Sequence, residues 1–128
     1  MFRRCTNLTT VPAVLPAMTL DYQCYDCMFA DCTSLTTAPE LPATVLADKC
    51  YSSMFYNCTS LTTAPELPAT VLANGCYSGM FSGCTSLTIA PELPSTMKVS
   101  PYYGSMFKNT SITSLKCHSL EYGSGTSN

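Results

Sequence analysis

The chain has 128 residues, enough for one ordinary domain. Only 11% of them are charged and the net charge is -2, while Ser and Thr fill about a quarter of the positions. There is no basic stripe to drive binding to a nucleic-acid backbone and no apolar run near the ~20 residues of a membrane helix. The opening Met1-Phe2-Arg3-Arg4 has no apolar stretch behind it and does not read as a signal peptide. A single histidine, His118, excludes any site that needs two imidazoles.

Met-Phe opens five copies of one pattern, at Met1-Phe2, Met28-Phe29, Met54-Phe55, Met80-Phe81 and Met106-Phe107. The first copy, 1–27, carries one extra residue around Ala13-Val14. Copies 28–53 and 54–79 are nearly identical, and 80–105 follows the same order. The last, 106–122, is partial: it drops one residue and its Cys, so Ile112 stands where Leu35, Leu61 and Leu87 stand. A period in the twenties points to a solenoid coil rather than a two-helix repeat, which needs more than about 30 residues.

Stacked coils set equivalent residues ~4.8 Å apart, so the copies become ladders. The five Phe form one, Leu8, Leu35, Leu61, Leu87 and Ile112 a second, and Leu15, Leu41, Leu67 and Leu93 a third. Leu20, Leu46 and Leu72 continue inward until Lys98 interrupts the row. Each buried Leu or Phe contributes roughly 1.5–3 kcal/mol, which gives the stack a core that one copy lacks.

Within a copy, Leu35-Thr36-Thr37-Ala38 is able to extend, and Pro39 then ends the strand because proline donates no ladder hydrogen bond. Pro12, Pro65 and Pro91 act alike, and Pro42, Pro68 and Pro94 turn the corner. The return path through Cys50 and Met54 has room for one or two helical turns. Before the Cys of each copy stand Asp31, Asn57 and Gly83, residue types that tolerate a left-handed turn; Arg4 departs from that rule.

The string Met-Phe-x-x-Cys-Thr-Ser-Leu-Thr, with Leu-Pro about six residues on, resembles the BspA-like (Treponema-type) leucine-rich repeats over about residues 1–116. Phe29, Cys32, Leu35, Ala38, Leu41, Pro42 and their equivalents carry the likeness. The resemblance implies a leucine-rich-repeat solenoid with a parallel sheet on one face. It also implies a bacterial surface or secreted protein that adheres to host proteins or other cells. The repeat here is a few residues longer than is usual in that family.

Nine cysteines leave at least one unpaired in a monomer. Cys5, Cys32, Cys58 and Cys84 form one row and Cys24, Cys50 and Cys76 another, in which Tyr102 takes the fourth place. Cys27 and Cys117 stand outside the rows. Stacked Cα atoms ~4.8 Å apart admit a disulfide, but parallel Cβ vectors hold the sulfur-bearing carbons too far apart. Buried free thiols acting as small hydrophobes are the favoured reading. Cys24-Tyr25-Asp26-Cys27 has zinc-ligand spacing but no second pair to complete a tetrahedron. No metal or other cofactor is expected.

Nearly every polar residue is a repeat position, whereas catalysis needs unlike groups in one place, so the chain reads as a non-enzyme. Cys117 beside His118 is the nearest approach to a nucleophile and base, and adjacent residues seldom face each other. The candidate binding face is the strand face, with Thr10, Thr37, Thr63 and Ile89 outward, Ser114 as their fifth equivalent, and Glu40, Glu66 and Glu92 alongside. The carboxylates are able to attract a cation or a basic partner, but also to splay apart in solvent. Tyr25, Tyr51, Tyr77 and Tyr103 read as a half-buried stack, and the sequons at Asn7, Asn57 and Asn109 as accidents of the repeat.

The expected architecture is therefore a right-handed leucine-rich-repeat solenoid over 1–122 with a short-stranded parallel sheet, and a flexible tail, 123–128. Because the pattern opens in mid-repeat, a piece of a longer protein is expected, with coil ends available for self-association. The expected function is protein or glycan recognition at a bacterial surface, without nucleic acid or membrane insertion. The alternative is a structural spacer or assembly module of a larger surface or phage protein.

Overall fold

In the computed structural model, residues 2–93 and 104–113 are described. Ser114, Pro94, Lys98, Tyr102, Tyr103, Cys117, His118 and the tail 123–128 lie outside them. Each described copy forms one layer, and layers lie on one another through backbone bonds and matched side chains.

One wall of the stack is a ribbon of overlapping turns. Along 23–32, alternate N–H groups close turns within the layer: Asp26 to Gln23 O, Met28 to Tyr25 O, Ala30 to Cys27 O and Cys32 to Phe29 O, at 3.1–3.2 Å. The intervening N–H groups cross to the next layer, from Tyr25 to Cys50 O, Cys27 to Ser52 O, Phe29 to Met54 O and Asp31 to Tyr56 O, at 2.7–2.9 Å. Residues 51–57 repeat this on the layer above, and Gly79, Phe81 and Gly83 reach Gly104, Met106 and Lys108. Along 23–32 and 49–58 every backbone N–H thus has a partner, as buried backbone requires. All these crossings run the same way, from the N–H of one layer to the carbonyl of the next.

The ribbon needs a positive φ at every fourth residue. Gln23, Cys27 and Asp31 have φ of 53–61°, Lys49, Ser53 and Asn57 of 50–56°, and Gly75, Gly79 and Gly83 of 61–81°. A positive φ at the third residue of a turn is the type II signature. The left-handed residues before the Cys are thus as expected, but Arg4 joins them at φ 63°, and the fourfold series reaches well beyond that one position. Arg4 is held there by its N–H bond to Ala30 O at 2.8 Å, while Arg3 and Arg4 each lie 3.9 Å from Asp31. No helix occurs among the described residues; the stretch where a helical turn was expected is this ribbon.

The opposite wall, which carries the Leu-Pro segments, pairs in both directions. Glu40 N–H bonds Ala13 O and Leu15 N–H bonds Glu40 O, so Val14 pairs with Glu40 and the extra residue of the first copy is taken up beside it. Thr19, Val45 and Val71 form a second row of parallel bridges, and Thr63 pairs with Ile89. These are isolated bridges, not a continuous sheet. Proline explains the gaps: Pro39, Pro65 and Pro91 offer no N–H, and all three are buried against the interior.

Between the walls lie the ladders. Phe2, Phe29, Phe55, Phe81 and Phe107 stack with centroids 5.7–5.9 Å apart and near-parallel planes. Leu35, Leu61, Leu87 and Ile112 are buried, as are Leu15, Leu41, Leu67 and Leu93. Met28, Met54, Met80 and Met106 add a buried row that the sequence pattern had marked only as a repeat boundary.

Candidate functional site

In each complete layer the segment after the Cys crosses the outer surface. In the layers of Cys32, Cys58 and Cys84 its Leu and its first Pro turn inward, the two residues after the Leu face solvent, and the Ala before the Pro packs partly against the core. Thr37 is exposed as expected, but so is Thr36: counted from buried Leu35, strict alternation would turn Thr36 outward and Thr37 inward, so the segment does not alternate as a regular strand. Thr10, Thr37, Thr63 and Ile89 are all exposed, Ile89 to 71%. Thr62 uses both its N–H and its hydroxyl on Thr36 O, at 3.3 and 3.4 Å, and so ties two layers together.

The carboxylates of Glu40, Glu66 and Glu92 are exposed in register, just past the buried prolines. After each Glu the chain turns inward at Leu41, Leu67 or Leu93. In the first two of these layers it returns to the surface at Pro42 or Pro68. Two consecutive cavities of about 370 Å³ follow from this: Glu40, Leu41, Pro42, Glu66 and Pro68 line one, and Glu66, Leu67, Pro68 and Glu92 the other. They share Glu66 and Pro68, so they form one trough along the stack. Its floor is leucine, one wall is carboxylate and the other is proline. The sequence pattern placed the Glu row but not the trough; the signal was the Glu-Leu-Pro triplet, whose middle residue alone is buried.

A row of serines also went unassigned. Ser60, Ser86 and Ser111 donate to Thr33 O, Thr59 O and Thr85 O of the preceding layer at 2.6–2.7 Å. The recurrence of Ser one position after Thr in every copy but the first, which has Asn7, was its trace. These hydroxyls are committed to the backbone rather than offered to a ligand.

The eight described cysteines are thiols, none of them in a disulfide. Cys32, Cys58 and Cys84 are buried and donate S–H to Phe2 O, Phe29 O and Phe55 O at 3.0–3.1 Å. Burial pushes the Cys50 and Cys84 thiols up to about 12 and the Cys76 thiol to about 11. Burial also raises Cys58 and Cys32. Such thiols stay protonated at neutral pH and are poor nucleophiles and metal ligands. Cys24 and Cys5 are exposed, and Cys27 lies 3.5 Å from Asp26 Oδ1, with burial and that carboxylate both raising its pKa. Among the described residues no group of three or more His, Cys, Asp or Glu is arranged to hold a metal.

Tyr25, Tyr51 and Tyr77 stack at 5.9 and 6.2 Å, with Tyr51 and Tyr77 fully inside rather than half-buried. The Asn57 amide donates to Asp31 Oδ1 at 3.1 Å, while Asn7 and Asn109 are exposed. No protein-family model, curated protein or solved structure matches the chain.

Proposed function

We propose that the chain is a non-enzymatic binding and adhesion module that recognises a protein or glycan through its outer face at a bacterial surface. Its architecture on this reading is a right-handed leucine-rich-repeat solenoid of the BspA-like type. One observation carries the reading: Thr10, Thr37, Thr63 and Ile89 are exposed in register beside Glu40, Glu66 and Glu92. On the turn wall, by contrast, Cys32, Cys50, Cys58, Cys76 and Cys84 are buried. A face repeated once per layer suits an extended ligand that makes many weak contacts.

The test is a screen of immobilised host proteins and glycans, followed by Thr37→Arg and Thr63→Arg. Both side chains project into solvent, so both variants keep the wild-type circular dichroism while ligand retention falls. A ligand held equally by wild type and both variants removes this face from the reading. Concentration-dependent self-association with no ligand in the screen favours the assembly module instead.

A further inference from the structure

We infer that the trough beside this face takes an extended polypeptide segment in which basic and apolar residues alternate; the inference rests on the binding reading above and specifies its partner. The trough runs along the stack, with Glu40, Glu66 and Glu92 on one side, Pro42 and Pro68 on the other, and Leu41 and Leu67 beneath. A single extended chain has two faces that point opposite ways, with side chains alternating between them. Laid in the trough, one face meets carboxylates and the other meets proline. A ligand of uniform charge, or of no charge, matches only one wall.

Spacing and charge agree with this occupant. The carboxylates step by ~4.8 Å per layer, so three of them span roughly 10 Å. Side chains on one face of a strand recur every ~6.7 Å, which sets successive Lys or Arg against Glu40 and Glu66. Long basic side chains absorb the remaining mismatch, because their stems lie along apolar surface while the charge reaches out. On the protein, the described basic residues Arg3, Arg4, Lys49 and Lys108 all belong to the turn wall, away from the trough. Among the described residues, Glu40 and Glu66 therefore present their negative charge to an incoming cationic chain.

The experiment uses the full chain and a labelled, end-blocked heptapeptide alternating Lys and Val, read by fluorescence anisotropy at low salt. A block peptide with the same residues sorted into a Lys half and a Val half is the control. The alternating peptide binds, and the block peptide binds at least about fivefold more weakly. Glu66→Gln, which alters both cavities, weakens the alternating peptide about tenfold. Pro68→Ser weakens it several-fold with its salt dependence unchanged. Equal binding of the two peptides, equal competition by a free polyamine, or indifference to Glu66→Gln overturns the inference in favour of general cation attraction. No peptide binding, together with a ligand lost on Thr37→Arg, overturns it and leaves the binding face standing. No peptide binding and no ligand on that face overturns both.

Discussion

Asn57 Oδ1 occupies the space that a β-carbon on Gly83 would need. The two residues are equivalents in neighbouring layers, and both have positive φ. Asp31, Asn57 and Gly83 therefore make one graded column, in which the Asn57 amide bonds the carboxylate of the layer before it and is covered by the bare glycine of the layer after it.

Gly83→Ala must then displace Asn57 as well as force an alanine into the left-handed region, which alone costs roughly 1–2 kcal/mol. Gly79→Ala has a milder clash, with Ser53 Oγ 3.2 Å from the new carbon, and the same backbone penalty. Urea denaturation is expected to show Gly83→Ala losing more than Gly79→Ala. Adding Asn57→Gly should recover the difference. Equal losses in the two single variants would mean that the column relaxes freely.

The hydroxyl of Tyr77 is buried without a hydrogen-bond partner, while its ring sits in the aromatic stack. An unsatisfied buried polar group costs about 1–3 kcal/mol. Tyr77→Phe keeps the ring and removes that cost, so it is expected to raise stability by about 1 kcal/mol. A loss of stability in the same denaturation experiment would show that the hydroxyl has a partner in solution.

Thiol reactivity should divide along the burial pattern. Brief iodoacetamide treatment of the native protein at pH 8, read by peptide mass spectrometry, is expected to modify Cys5 and Cys24 first and Cys27 more slowly. Cys50, Cys58, Cys76 and Cys84 react only after unfolding, because they are buried and, as thiols, hold their protons. Fast modification of Cys58 in the native state would contradict its bond to Phe29 O.

The same thiols fix an alkaline limit. Their folded pKa values lie above the ordinary value of 9.0, so the unfolded chain loses protons first as pH rises. Their contribution to stability is complete below about pH 9 and is lost between there and about pH 12. The slope is up to about 1.4 kcal/mol per pH unit for each thiol. Burial raises Tyr51 and Tyr77 as well, which steepens the fall above pH 10. Melting temperatures across pH 7–11 test this; a flat profile to pH 11 would refute it.

The ladders of Phe, Leu and Cys were legible in the sequence because each is a single residue type recurring at a single interval. The turn ribbon was not. Its left-handed positions are Gly75, Gly79 and Gly83 in one layer but Lys49, Ser53 and Asn57 in the layer before it, and Lys and Ser give no hint of positive φ. Strand alternation counted from buried Leu35 turns Thr36 outward and Thr37 inward, yet both are exposed, because prolines reduce the expected pairing to single bridges. At the candidate site Thr37 and Glu66 were readable as exposed types, whereas the trough depends on Leu67 sinking between Glu66 and Pro68, a depth that residue type alone does not convey.

The one-way crossings of the turn wall have a consequence for synthesis. Tyr51, Ser53, Phe55 and Asn57 each donate to a carbonyl about 25 residues later in the chain. During translation a newly made layer therefore holds a row of donors whose acceptors have not yet left the ribosome. That layer closes only when its successor emerges, so order advances along the nascent chain one repeat behind the growing end. The backbone hydrogen bonds among the described residues reach no farther than the neighbouring layer, which keeps loop closure cheap and makes each finished layer the template for the next.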